Sequence, residues 1–337
     1  MIQEGIMMKR KLSLLSVLLL CCLALFGMEA LGGLQVHFID VGQADSTLLI
    51  DSGKTMLIDA GNNADGRLVV RYLQNLGIVH IDILVGTHPH EDHIGGLDDV
   101  IENFSIGQIV MPAKTHNTKS FEDVLDAIAL KGMGITVPKV GDMFQIGKSS
   151  LTLLAPVRTD YFNINDHSLV FKLVRSGKRI LFAADAETTS EWHMIGDKAD
   201  LATDILKVGH HGSDTSTNST FIGLVSPAIS IIHVGKANPY AHPSISVLKR
   251  IPGTIYRTDL EGTIIVGISE TGVISVDTHR QHPNPAWQEV LYIGDSSSGV
   301  YHRLTCTGLP GAALQVGLFT KEEALAFGFS PCTVCKP

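Results

Sequence analysis

The segment Thr87-His88-Pro89-His90-Glu91-Asp92-His93-Ile94-Gly95-Gly96 places three imidazoles and a carboxylate within six positions. An H-x-H-x-D-H run on one tight turn lets these groups converge on metal ions. Such nitrogen and oxygen donors suit zinc or, with more oxygen ligands, manganese or iron. A lone surface histidine would carry no such meaning; this density does. Gly95-Gly96 allows the backbone to pass close beneath the site. Further donors stand where apolar runs end: Asp59 before Ala60-Gly61, Asp185 after Leu181-Phe182-Ala183-Ala184, His210 and His211 before Gly212-Ser213, and His242 before Pro243. Acidic residues are common in turns, so none of these decides anything alone. Together they supply enough ligands for two divalent metals, zinc or manganese.

A second set lies near the carboxyl end. His302 and Cys306 form an H-x-x-x-C pair, and Cys332 and Cys335 a C-x-x-C pair. One imidazole and three thiolates make the closed tetrahedral set of a structural zinc. The alternative is a Cys332–Cys335 disulfide with Cys306 free. Of the five cysteines, Cys21 and Cys22 lie in an amino-terminal apolar run, which leaves an odd number and no disulfide framework.

Elements must position these groups. Leu34 to Val41, Ser46 to Asp51 and Lys54 to Asp59 read as strands, with Asp51-Ser52-Gly53 as a hairpin turn. Arg67 to Leu76 has helical spacing, Ile81 to Gly86 is an apolar run, and Leu97 to Asn103 begins another helix. The order then recurs. Strands are expected near Ser150 to Leu154, Ser168 to Val174, Arg179 to Ala184, Asp204 to Val208, Ala228 to Val234 and Thr263 to Ile268, with helices near Thr188 to His193 and Ser244 to Ile251. Two such halves suggest an α/β fold, a four-layer αββα sandwich whose loops hold the site at one end of the sheets. Polar residues and two prolines make 278–290 a linker. The remaining 291–337 is too small for an ample core without a staple.

Lys9-Arg10-Lys11, the apolar run Leu12 to Phe26, and then Ala30, Gly32 and Gly33 read as a secretory signal peptide over 1–33. The alternative is an uncleaved anchor, although the run is short for a spanning helix. Either way the protein is expected outside the cytoplasm, secreted or at the cell surface, with no stable membrane partner required. A net charge of -8 is not the footprint of a tight nonspecific DNA binder. Nucleic-acid contact must therefore be local or bridged by bound cations.

Over about Leu34 to Val276 the sequence resembles the metallo-β-lactamase superfamily. More narrowly it resembles the metallo-hydrolase domain at the carboxyl end of ComEC-type DNA-uptake channels and its exported stand-alone relatives. The resemblance rests on the His88 to His93 motif, Phe38 to Ser46, Ile58 to Gly61, Asn165 to Val170, Asp185-Ala186-Glu187, Leu206 to Ser213 and Tyr240 to Pro243. It implies that His88 and His90 bind one metal, that Asp92 and His93 bind the other, and that Asp185 bridges them. Either His210 or His242 would be the terminal ligand. Asp40, Asp45, Asp59, Asn165 and Ser168 would support the site. Many superfamily members carry a histidine where this chain has Asn165-Asp166-His167-Ser168, and the adjacent His167 is a candidate substitute. Tyr292 to Pro337 resembles the small zinc module of the Ada DNA-repair protein, with His302 at a position where Ada has cysteine. That difference favours a structural or DNA-docking role for the module over methyl transfer.

The implied activity is hydrolysis of a phosphodiester, with DNA as the favoured substrate. Two metals roughly 3.5–4 Å apart can activate water to hydroxide and stabilise both the attacking and leaving oxygens. Asp92 or Asp185 would orient that hydroxide, and Lys207, His210 or His211 would neutralise the phosphate or protonate the leaving oxygen. Two alternatives stand beside this: hydrolysis of a lactone, β-lactam or thioester on the same scaffold, and a noncatalytic DNA-binding role in uptake.

Overall fold

The structure is a computed structural model that describes residues 33–236, 238–279, 292–295, 297–310, 315–318, 321–326 and 328–337. All of the expected signal peptide but Gly33 lies outside them. So does the expected linker from residue 280 onward. The first two residues of that linker belong to a sheet edge instead: Thr278 ends a strand, and His279 N donates to Thr263 O at 3.1 Å.

The first half runs β1 (Leu34–Phe38), β2 (Thr47–Asp51), β3 (Lys54–Ile58), α1 (Gly66–Asn75), β4 (His80–Val85), α2 (Glu91–Ile94), α3 (Leu97–Asn103), β5 (Ser105–Val110), α4 (Lys119–Leu130) and β6 (Ile135–Thr136). The second runs β7 (Met143–Ile146), β8 (Ser149–Ala155), β9 (Val170–Arg175), β10 (Lys178–Phe182), α5 (Thr188–Gly196), β11 (Ile205–Lys207), α6 (Ser219–Val225), β12 (Ile229–Ile232), α7 (Ile245–Arg250) and β13 (Thr254–Arg257). After α8 (Thr258–Glu261) the chain returns to the first sheet as β14 (Ile264–Ile268) and β15 (Ile274–Thr278). The strand orders are β15-β14-β1-β2-β3-β4-β5-β6 and β13-β12-β11-β10-β9-β8-β7. At the β2–β3 turn Ser52 and Gly53 both have positive φ, 53° and 75°, as a two-residue type I′ hairpin requires.

Strands buried on both faces build the layers. In β10, Ile180 and Phe182 join Val36, Phe38, Met56 and Phe171 between the sheets, while Leu181 faces outward to Leu206, Met194 and Val247. Leu57 and Leu84 likewise face Val69, Leu73, Val124 and Ile128 of the helices outside the first sheet. These three apolar interfaces are those of a four-layer αββα sandwich. Strands β3, β4 and β5 run parallel, as do β10, β11, β12 and β13. Parallel strands share one carboxyl end, so the residues that follow them gather at one rim.

The segment from residue 292 forms a four-stranded sheet, ordered β18-β16-β17-β19, from β16 (Tyr292–Asp295), β17 (Val300–Arg303), β18 (Gln315–Leu318) and β19 (Ser330–Pro331), with α9 (Lys321–Ala326). Its Tyr301, Leu318, Ala324 and Phe329 bury Ala241 of the larger sandwich.

Glu191 on α5 anchors the start of α6. It accepts from Thr217 N, from Asn218 N at 2.9 Å and from Asn218 Nδ2 at 2.6 Å, and Asn218 in turn caps the helix. Burial outweighs these hydrogen bonds and pushes its carboxyl up to about 7 from 4.5. The folded state thus favours the protonated acid. The resulting stability is present below about pH 4.5 and is lost as pH rises through about 7. Glu191→Gln imitates the protonated form and should gain about 3 kcal/mol on the wild type between about pH 4 and pH 8, read from urea unfolding. A constant difference over that range would mean that Glu191 ionises normally.

Candidate metal centre

The loop after β4 and the short helix α2 carry the dense motif. The glycines that follow are fixed by close approach: a Cβ on Gly95 would lie 2.4 Å from Asn63 N, and one on Gly96 would lie 2.4 Å from Ala60 O. Backbone bonds tie this loop to its neighbours, with Ala60 N donating to His93 O at 2.8 Å and Asp45 N to Asp92 O at 3.0 Å.

Asp92, His93, Asp185 and His211 each direct a ligand atom to one point, all within 4.8 Å of one another. His93 Nε2 is 3.2 Å from Asp185 Oδ2, and His211 Nε2 is 3.1 Å from Asp92 Oδ2 and 3.6 Å from Asp185 Oδ2. Beside them His88 Nε2 and His90 Nδ1 stand 3.0 Å apart, and the His88 and His93 rings lie 4.1 Å apart. His93 Nδ1 donates to Asp59 Oδ2 at 2.8 Å, and His211 Nδ1 donates to His233 O at 3.1 Å. Both rings are therefore held with Nε2 facing the cluster, the arrangement that outer partners give to metal-binding imidazoles. Asp59 also accepts from Thr87 N and Thr87 Oγ1, at 2.8 and 2.7 Å.

His93 Nε2, Asp185 Oδ1 and Asn165 Oδ1 are buried polar atoms without a hydrogen-bond partner. Unpaired groups of this kind are costly unless something satisfies them, and a divalent cation among these donors does so. Charge tells the same story. Burial opposes ionisation of Asp185, yet His93, His211 and His210 hold it well below the carboxylate range; burial likewise opposes protonation of His93, yet Asp185 and Asp59 raise it well above the imidazole range. The cluster demands positive charge at its centre.

Of the two expected terminal ligands, neither His210 nor His242 enters this donor group; His211 does. The backbone explains it. His210 and His211 are both left-handed, with φ of 49° and 54°, so consecutive side chains diverge. His210 sits at the rim, Nδ1 3.2 Å from Glu187 Oε1 and Nε2 3.8 Å from Asp185 Oδ2. His242 lines the wall beside it, the two rings 5.7 Å apart, with His242 Nδ1 3.4 Å from Gln43 Nε2. Asp59, Ala184 and Ala241 are left-handed too, a conformation that non-glycine residues keep only where surroundings enforce it.

Lys207 is placed beneath the site rather than at its mouth. It is buried against Asp45 in a direct ion pair, and its Nζ donates to Ala184 O at 3.2 Å. Asp45 in turn lies 3.4 Å from Nδ1 of both His211 and His233. His167 turns away as well, with Nε2 3.1 Å from Tyr161 O, so it does not substitute for the histidine of other members. Asn165 does face the cavity and donates to Glu187 Oε1 at 2.8 Å. Ser168 Oγ lies 3.4 Å from His88 Nδ1 and accepts from Asp185 N at 3.2 Å. Asp40 Oδ1 accepts from Gly42 N at 3.3 Å and shapes the loop leading to Asp45. Glu187, Gln43, His116, His233 and Tyr240 also surround the site. Glu187, Gln43 and Tyr240 lay inside the motifs quoted above, whereas His116 and His233 are isolated in the sequence and gave no signal.

Asp92, Asp185 and His211, with His90, floor an open cavity of about 370 Å³, walled by Gln43, His116, Asn165, His210, Tyr240 and His242, while His88 and His93 lie buried. The family model of the metallo-beta-lactamase superfamily matches residues 39–236, more than half of the chain. The chain belongs to the metallo-β-lactamase superfamily. Within the superfamily it falls in the ComEC-type branch. It is 31% identical to ComE operon protein 3 of Bacillus subtilis over 68% of this chain and 32% of that protein. It is 31% identical to Recombination protein 2 of Haemophilus influenzae over 74% of this chain and 30% of that one, and 28% identical to Competence protein ComA of Neisseria gonorrhoeae over 69% and 32%. The chain thus spans about a third of the length of these curated relatives. Among solved structures, the metallo-beta-lactamase fold protein YhfI of Bacillus subtilis aligns over 73% of this chain and all of that one, at 11% identity and a TM-score of 0.48. Metallo-β-lactamase membership implies divalent metals and a hydrolase scaffold, and the donor set fits such ions. Among the described residues no helix is long and apolar enough to cross a membrane.

The second ligand set also converges. His302 Nδ1 lies 3.3 Å from Cys306 Sγ, and Cys306 Sγ lies 4.0 Å from Cys332 Sγ. Tetrahedral zinc with bonds of about 2.3 Å separates two thiolates by roughly 3.8 Å. The three cysteines are free, and Arg303 N donates to Cys335 Sγ at 3.3 Å.

Proposed function

We propose that the protein is an exported metal-dependent phosphodiesterase that cleaves DNA. The observation that carries this reading is the joint convergence of Asp92, His93, Asp185 and His211, beside His88 and His90, at and beneath the floor of an open cavity. A pair of divalent cations, when bound, supplies Lewis acidity that activates water and offsets phosphate charge. The residues do the rest. His88 and His90 would hold one cation, Asp92, His93 and His211 the other, and Asp185 both. Asn165 adds an amide oxygen at the place of the missing histidine. His210, with Nδ1 fixed by Glu187, can hand a proton from Nε2 to a leaving oxygen at the rim. Lys207 acts through Asp45 as a positioning residue.

DNA is favoured for two reasons. Two relatives are named for competence and recombination, words that denote the handling of DNA. Tyr240, 63% exposed, stacks on His242 at 5.7 Å in the cavity wall, an aromatic face on which a nucleobase can stack. The basic, apolar and small segments of the amino end support export.

Metal-replete protein should contain two to three ions per chain. It should cleave a model phosphodiester and DNA, single- or double-stranded, in preference to a lactone. Lactone hydrolysis without phosphodiester cleavage would move the function to the other reading, and DNA binding with no hydrolysis would make the protein a binding component.

A further inference from the structure

The loop that walls the cavity is shared with the carboxyl-terminal module. Asn238 organises its interior, accepting at Oδ1 from Tyr240 N (3.1 Å) and His242 N (3.0 Å) and donating from Nδ2 to His242 O at 2.7 Å. Tyr240 and His242 line the cavity. Ala241, between them, is buried in the module's apolar core with Tyr301, Leu318, Ala324 and Phe329. Helix α7, just beyond the loop, lies against β18. On its other side the loop reaches the metal centre: a Cβ on Gly212 would lie 2.6 Å from Pro243 Cβ, and Ser244 N donates to Gly212 O at 2.8 Å. Gly212 follows His211. Ala241 has a φ of 56°, unfavourable for alanine, so the loop depends on its surroundings for this shape.

We propose that the zinc module is a working part of the hydrolase site, a brace that sets the Tyr240–His242 wall and, through Pro243 and Gly212, the seat of His211. The inference rests on the cavity being the site, not on which substrate enters it. The metal ligands lie close to the brace. His302 adjoins Tyr301 on β17, and Cys332 N donates to Tyr301 O at 2.9 Å. A module this small has little core of its own, so its fold follows its metal. Loss of zinc from this cluster therefore frees Ala241 and loosens a wall that contains none of the zinc ligands.

Amide hydrogen exchange on the full chain tests this. In Cys306→Ser, which removes a zinc ligand, and in Phe329→Ala, which keeps all four ligands but removes packing, exchange over residues 238–244 should quicken at least tenfold. Helix Lys119–Leu130, remote from the module, should exchange as in the wild type. With the model phosphodiester, KM should rise in both variants. Unchanged protection of 238–244 in both, with zinc lost from the first, overturns the proposal. If the cysteine variant does not accumulate folded, Phe329→Ala decides alone in the same two directions. Exchange is read whether or not any phosphodiester is cleaved, so failure of the brace and failure of the proposed activity remain separate results.

Discussion

Asp185→Asn should reduce turnover of a model phosphodiester by about 10³-fold or more, a loss of about 4 kcal/mol of transition-state stabilisation, while circular dichroism stays that of the wild type. Among the described residues, Asp185 Oδ2 is the one carboxylate oxygen within 4 Å of His93, His210 and His211 together. The amide removes its charge and turns an NH₂ group toward rings that already present nitrogen. The site's ions should go with it, leaving about one per chain in the His302, Cys306, Cys332 and Cys335 cluster. A variant that kept both the wild-type metal content and more than a tenth of the turnover would place the chemistry elsewhere.

Lys207→Met should have the largest effect on stability, about 3–5 kcal/mol, because it takes from the buried Asp45 its direct ion-pair partner. Both residues are almost wholly inaccessible, at 2% and 3%. Burial alone would raise the Asp45 pKa, but Lys207 and the imidazoles of His233, His93 and His211 hold it below the ordinary value of 3.8. A depressed carboxylate contributes stability that is present above about pH 4 and fades as pH falls through its folded value. Adding Asp45→Asn to Lys207→Met should recover much of the loss, since two neutral groups replace one stranded charge. If the two losses simply summed in thermal unfolding, the pair would not be the cause.

The metal motif was legible because six consecutive positions form one turn, so spacing alone predicts that side chains meet. The strands that feed it were legible from their apolar runs, and the hairpin from Ser52-Gly53. What spacing could not give was direction. His210 and His211 are neighbours in sequence, and only their left-handed backbone sends one into the donor group and the other to the rim. Lys207 reads as a phosphate partner at a strand end until Asp45, brought over from the other sheet, is found to neutralise it. Helix Lys119–Leu130 is absent from the sequence reading, although Phe121, Val124, Ala127 and Ile128 recur at helical spacing on one buried face; the edge strands Ile135–Thr136 and Met143–Ile146 are too short for alternation to mark them. Ala241 carries no signal of its own, because a small residue announces neither a core nor an interface.

His88, His90, Asp92 and His93 follow a strand of the first sheet, and Asp185 and His211 follow strands of the second. Neither half alone holds the group Asp92, His93, Asp185 and His211, so that donor group is complete only where the two sheets meet. Capture of an ion by all four of these donors would follow closure of the sheets on each other. The choice of ion then depends on the ions present where closure finishes. Zinc and manganese compete at such nitrogen and oxygen sites with affinities that favour zinc, so a chain closed in a zinc-poor, manganese-rich medium and one closed in the reverse would carry different ions on the same donors.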